Sequence, residues 1–308
     1  MAAAAAAPPP GGELQAEAFQ RLYPDQYLAQ FVTRGLRPDG RPLALARPTS
    51  IGLGVVSTAD ASALVKLGST SVLAGVKAEV MPAPADTPDR GRLTLQVEMA
   101  PLCSADARPG RPSEAAAVLT QQLTSLLDAG GVVDGRQLCI DPGRVAWAVY
   151  VDVYVLDADG SLHDACLLAV LAALSSLQLH AVTVDDAGRV TKADSDAAAA
   201  AASSGQPGGA PAMRRLQLGC QPVSLTCGVY RGQLLIDPTA EEEPLLDATL
   251  TATLDEQGGV LGLYKAGGSA TSSHERLLQC LEAAKLRGKE VRDLLWQALD
   301  AADTAALS

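Results

Sequence analysis

The chain has 308 residues, 48% of them apolar, enough for a sizeable core in one large domain or two smaller ones. Aromatic residues supply only 3%, so that core must be built from Leu, Val and Ala. With 35 acids against 24 bases the net charge is −11. This excludes nucleic-acid binding by overall charge, because phosphates are neutralised by Lys and Arg; any RNA contact must come from a local basic patch or from partner subunits.

The first residues, "MAAAAAAPPPGG", carry no base and no Leu-rich run, and read as a disordered tail (1–12) rather than a secretory signal. Glu13 to Val32 has helical spacing of Leu, Phe and Tyr, interrupted at Pro24, which predicts a kink or two short helices. Pro38, Asp39 and Gly40 mark a turn. "SALVKLGSTSVLAGVKAEV" alternates on both sides of "GST" and predicts a β-hairpin; "LTLQVEMAPL" predicts a further strand. Ser113 and Glu114 open a helix whose Leu119, Leu123, Leu126 and Leu127 share a face, and Gly130–Gly131 stops it.

Val145 to Leu156 is the clearest strand, with valines at alternate positions and Trp147 among them. Asp164 is expected to cap the next helix, "ACLLAVLAALSSLQL", which is apolar nearly all round and so predicted to be buried. That apolar segment is too short to span a bilayer, and the chain is expected to be soluble, intracellular and without membrane contact. Residues 191–212, rich in Ala, Ser and Gly, read as a floppy surface insertion. A second strand-rich block follows in "QPVSLTCGVY", "QLLIDPT" and "ATLTATLDEQGGVLGLYKAGG", then a long helix from about Ser273, with Ser272 and Glu275 as a capping box. The class is α+β: a first half at 13–190 and a second at 213–308, joined through the insertion.

Few motifs carry chemistry. The six cysteines lack any CxxC pair and read as small buried hydrophobes, not zinc ligands. "IGLGVVS" fails as a dinucleotide fingerprint, since no helix follows it, and no P-loop, HExxH or GxSxG frame is present. Arg90, Arg92, Arg108 and Arg111 are expected on Pro/Gly-rich loops, where guanidinium groups meet either RNA phosphate, or solvent, or a salt bridge to a neighbouring subunit. "IDPTAEEEPLLDATL" concentrates carboxylates that would hold a metal ion, abstract a proton, or simply face water.

"RPDGRPL", "STADASALVKLGSTSVLAGVKAEV", "LCSADARPG", "CIDPGRVAWAVYVDVYVLDADGSLHDACLLAVLAAL" and "LLIDPTAEEEPLLDATLTATLDEQG" occur in the order found in the RNase PH family. The chain resembles the RNase PH-like subunits of the eukaryotic RNA exosome ring from about Glu13 to Leu299, apart from the insertion. The resemblance implies a βαβα fold, like ribosomal protein S5 domain 2, with mixed sheets on packed helices. It also implies partners: other RNase PH-like ring subunits, an S1-domain cap subunit, a hydrolytic nuclease, and single-stranded RNA threading the ring. The implied compartments are nucleus, nucleolus and cytoplasm.

Active family members use inorganic phosphate to degrade RNA from its 3′ end, holding it with an arginine just before the buried helix. Here "DGSLHDA" puts His163 at that position, and imidazole lacks the permanent fork of guanidinium. The family's pair of aspartates falls on Glu241 and Asp247; a two-residue shift of register would select Glu243 and Thr249 instead. The resemblance therefore implies a non-catalytic ring subunit without cofactor or metal, with His163, Glu241 and Asp247 as degenerate positions. The alternative is an active phosphate-dependent exoribonuclease using them in altered roles. Glu242 and Glu243 are expected to be solvated or interface charges.

Overall fold

A computed structural model describes residues 12–103, 113–180, 182–184, 190–192, 213–268 and 274–307. Two helices open it, α1 (Gly12–Leu22) and α2 (Pro24–Val32), divided at Pro24 as its missing N–H demands. The first half is built on β1 (Thr49–Leu53), β2 (Ala61–Leu67), β3 (Thr70–Pro82), β4 (Arg92–Met99), β5 (Cys139–Asp141) and β6 (Val145–Asp157). Their order is β1-β2-β3-β6-β4, with β5 on the end of β6. All pairings are antiparallel except β4 with β6.

The predicted hairpin is β2–β3, with Leu67 opposite Thr70 and Gly68, at φ 60°, in the two-residue turn. Along β6 the valines at 149, 151, 153 and 155 are fully buried, while Tyr150, Asp152 and Tyr154 face outward. The period of two thus fixes which face packs. Helix α3 (Glu114–Ala129), capped by Ser113, covers the β4 edge: Thr120 Oγ1 accepts from Val97 N at 3.0 Å.

Helix α4 (Leu162–Ser176) is buried from Ala165 to Ser175. It packs on β1, β2, β3 and β6 on one side and on the second sheet on the other. An all-round apolar sequence is what a helix with sheets on two sides requires. That second sheet comprises β11 (Val223–Tyr230), β12 (Gln233–Ile236), β13 (Ala248–Leu254) and β14 (Val260–Lys265), ordered β12-β11-β13-β14 and wholly antiparallel. Between the halves lie short strands β7 (Gln178–His180), β8 (Val182–Val184), β9 (Val190–Lys192) and β10 (Met213–Arg215), pairing β7–β10 and β8–β9.

Helix α5 (His274–Leu307) closes the structure and serves both halves. Its Cys280 and Ala284 join the core of the second sheet, and its Val291, Leu295 and Leu299 complete that of the first. The N-terminal helices cross over: Leu28 and Val32 pack against Tyr230 and Leu235, and Tyr230 Oη donates to Asp25 Oδ1 at 2.7 Å.

The expected cap of α4 is corrected. Asp164 does not cap α4. Ser161 holds the N-cap position in the left-handed conformation (φ 51°) without a side-chain cap, and Asp164 Oδ2 instead accepts from Thr226 N on β11 at 2.6 Å. The expected tail (1–12) and insertion (191–212) are each trimmed at one end, since Gly12 opens α1 and Thr191 and Lys192 belong to β9; their remaining residues and Ser272 of the expected capping box lie outside the described residues. All six cysteines are free; four are buried and Cys139 and Cys220 are half-buried.

Candidate functional site

The acids of "IDPTAEEEPLLD" are not a free cluster. After β12 the chain turns through Asp237, held at φ 54°, into a short 3-10 turn, Glu243–Leu245. This segment faces the Asp159–Ser161 turn that leads into α4. Two buried arginines from the N-terminal connection are threaded between them.

Arg47 grips Asp237 with a two-pronged contact, Nη2 to Oδ1 at 2.7 Å and Nε to Oδ2 at 2.9 Å, while its backbone N donates to Oδ2 at 2.8 Å. The same guanidinium donates to the carbonyls of Asp159 and Gly160. Its stem lies against Gly68, where any Cβ would stand 2.5 Å from Arg47 Cδ, so the tight hairpin turn also makes room for the arginine. Burial alone would raise the Asp237 pKa, but the hydrogen bonds and charge of Arg47 hold it below the usual carboxylate value.

Arg37 is fully buried. Its Nε donates to Glu242 Oε1 at 2.9 Å and its Nη2 to Oε2, while Nη1 reaches the Ile236 carbonyl at 2.6 Å and Nη2 the Asp237 carbonyl at 3.0 Å. Glu242 Oε2 also accepts from Thr239 N. The expectation that Glu242 is a solvated or interface charge is therefore wrong: it is 3% exposed and satisfied internally. Glu243 is half-buried and accepts from Ser161 N at 2.8 Å, and burial raises its pKa. It too is a structural contact, not a solvated charge.

The other candidate positions are engaged separately. Glu241 is exposed, accepts from Gln20 Nε2 at 2.7 Å, and lines an open cleft of about 630 Å³ with Tyr27, Asp159 and Leu245. Asp247 Oδ2 accepts from Arg231 N at 2.7 Å, pinning the β11–β12 turn. His163 is buried, with Nδ1 3.3 Å from Ser224 Oγ and its ring 5.5 Å from that of Tyr264; Nε2 has no partner. Burial lowers its pKa to about 4, so the imidazole is neutral near pH 7. A neutral, enclosed ring cannot hold a phosphate.

Arg90 lies in the loop before β4, whereas Arg92, expected on a loop, is the first residue of β4; both are exposed. Arg108 and Arg111 lie outside those residues. Among the described residues no group of three or more His, Cys, Asp or Glu is placed to hold a metal ion, and no helix is long and apolar enough to cross a membrane.

Arg37 and Arg47 were missed in the sequence. The signal available was compositional: Arg37-Pro38, Arg41-Pro42 and Arg47-Pro48 are three Arg-Pro steps within twelve residues of an acidic chain.

Profiles of the 3′ exoribonuclease family match residues 46–180 (RNase PH domain 1) and 220–287 (RNase PH domain 2). The chain belongs to the RNase PH family. Among its relatives, exosome complex component Rrp42 of Aeropyrum pernix is 34% identical over 274 residues, 88% of this chain and 94% of that one. Exosome complex component rrp43 of Schizosaccharomyces pombe is 32% identical over 87% of this chain and 93% of its own length. A chain of the Archaeoglobus fulgidus exosome, solved with RNA bound to the active site, superposes with a TM-score of 0.72 at 30% identity, covering 87% of this chain and 96% of that one. The two sheets around α4 are the RNase PH-like fold, and the two matched domains correspond to them.

Proposed function

We propose that this RNase PH family member is a catalytically silent ring subunit of an RNA exosome. Relatives named as exosome components, each spanned almost end to end, support the ring assignment. The observation that carries the silence is His163: a buried, neutral imidazole at the position that, by resemblance, belongs to the phosphate-holding arginine. Nearby, the carboxylates of Asp237 and Glu242 are bound by Arg47 and Arg37 inside the fold, and those of Glu243 and Asp247 by backbone N–H groups. Phosphorolysis needs a cation on the phosphate and a free carboxylate at the leaving oxygen. His163 supplies no cation, and of the family's acid positions only Glu241 presents an exposed carboxylate.

The partners under this reading are other RNase PH-like subunits, an S1-domain cap subunit, a hydrolytic nuclease and single-stranded RNA in transit. The compartments are nucleus, nucleolus and cytoplasm. The protein contributes architecture and part of the RNA path. The purified chain, incubated with single-stranded RNA, inorganic phosphate and magnesium, is expected to leave the RNA intact. Phosphate-dependent 3′ shortening that disappears in Asp247→Asn would overturn the silent reading and leave ring membership standing.

Arg90 and Arg92 are proposed to touch RNA phosphates within the assembled ring, together with Arg108 and Arg111. Arg90→Ala combined with Arg92→Ala is expected to weaken capture of labelled single-stranded RNA irrespective of its sequence. The salt dependence of log K should flatten by roughly one unit, at about 0.7 per neutralised phosphate. Equal affinity and equal slope in two intact rings would return both arginines to solvent.

A further inference from the structure

His163 and Asp164 stand side by side at the start of α4, where the first half meets β11, and both are enclosed. Asp164 Oδ2 takes the Thr226 N–H, but Oδ1 has no partner; His163 Nδ1 reaches only the Ser224 hydroxyl, and Nε2 has no partner. Nδ1 and the Asp164 Oδ1 are 3.9 Å apart, too long for a hydrogen bond. As imidazolium and carboxylate, the pair would bury a charged, unsatisfied Nε2–H beside a charged, unsatisfied oxygen. A buried ion pair is favourable only when its remaining hydrogen-bonding groups are satisfied.

Arg47 is close enough to feel the Asp164 charge, but the nearby cations are committed by hydrogen bonds to other groups. From the N-terminal connection Arg47 is committed to Asp237 and to the Asp159 and Gly160 carbonyls; from the end of β12 comes the like charge of Asp237. Arg287 of α5 lines the same small cavity of about 30 Å³ as Asp164 and Ser224, but its Nη2 donates to the Arg47 carbonyl and to Thr49 Oγ1, and its Nη1 to Glu290. β11 offers Ser224, Thr226 and the thiol of Cys227, β14 offers Tyr264, and α4 itself the thiol of Cys166.

We propose that folding in mild acid moves one proton from His163 to Asp164, so that the pair enters the core as two neutral groups. An N–H bond of the imidazolium breaks and an O–H bond of the carboxylic acid forms. The pair's net charge is zero before and after, and no proton is exchanged with solvent. Burial acts on both groups in the direction this requires: it lowers the His163 pKa from 6.5 to about 4 and raises that of Asp164 from 3.8 to about 6. Between those two folded-state values both groups are neutral in the fold and both charged in the unfolded chain.

The signs are opposite. Alone, His163 would weaken the fold as pH drops from 6.5 towards 4, because the unfolded chain takes up the proton first. Alone, Asp164 would strengthen it as pH drops through about 6 towards 3.8, because the folded chain takes up the proton first. Together they offset, so the junction between the halves tolerates acid although it buries two titratable groups.

The test reads the protonation of His163 directly, using the full-length chain labelled at its histidines. With three histidines in the sequence, the His163 ring resonances are assigned by their loss in His163→Gln. At pH 5 they are expected to report a neutral ring, whereas an imidazolium would overturn the proposal. Unfolding equilibria of wild type and both single variants give a second readout that needs no spectroscopic assignment. From pH 7 to about 4.5 the folding constant of Asp164→Asn should fall by tens of fold relative to wild type, and that of His163→Gln should rise by tens of fold. Parallel pH profiles in all three proteins would overturn it as well.

Discussion

Replacing Arg47 with methionine is expected to destabilise the protein by about 3–5 kcal/mol, the cost of removing one member of a buried ion pair. Asp237 is 1% exposed and loses the two guanidinium hydrogen bonds, keeping the residue-47 backbone N–H and a long contact to Arg41 Nη1 at 3.5 Å, and the Asp159 and Gly160 carbonyls lose a donor at the same time. Methionine keeps the apolar stem against Gly68, so the loss reports the guanidinium rather than packing. Adding Asp237→Asn to Arg47→Met should cost less than the sum of the single losses, since the amide removes the orphaned charge and tolerates positive φ. Chemical denaturation of the four proteins closes the cycle. An Arg47→Met protein within about 1 kcal/mol of wild type would show that the network is ornamental to stability.

A second large effect is expected at Gly160. Its φ is 77°, and a Cβ there would stand 2.5 Å from the Pro238 carbonyl oxygen and 2.8 Å from Ala240 N. Both obstacles are backbone and cannot rotate aside. Gly160→Ala combines left-handed strain with overpacking, for a loss of roughly 2–5 kcal/mol. The substitution separates the Asp159–Ser161 turn from the segment after β12, so hydrogen exchange at Ser161 N, which donates to Glu243, should accelerate more than exchange in β6. Normal stability with unchanged exchange would mean that the two turns are not held together as described.

Local periodicity made the scaffold readable. The β2–β3 hairpin follows from two alternating runs around Gly68, and the sandwiched position of α4 from a helix with no polar face. Capping was read less well: Asp164 has the right residue type and place for an N-terminal turn, yet its carboxylate is taken by Thr226, 62 residues away. The site was least legible because its bonds are long-range. Arg37 meets Glu242 across 205 residues and Arg47 meets Asp237 across 190. No local pattern distinguishes an arginine that will be swallowed by the fold, such as Arg37, from one that stays exposed, such as Arg90 or Arg92.

The placement of α5 sets a timetable for synthesis. Strands β1 to β6 and helix α4 are complete once residue 176 has emerged, but the apolar surface they share with Val291, Leu295 and Leu299 stays uncovered until the last helix is made. At translation rates of about 5–20 residues per second, more than a hundred further residues take on the order of 10 s. For that interval the nascent first half presents an unsealed Leu- and Val-rich face. It is then a client for whatever ribosome-associated factor shields apolar surface, and a ribosome stalled before residue 291 would leave a product that cannot bury it.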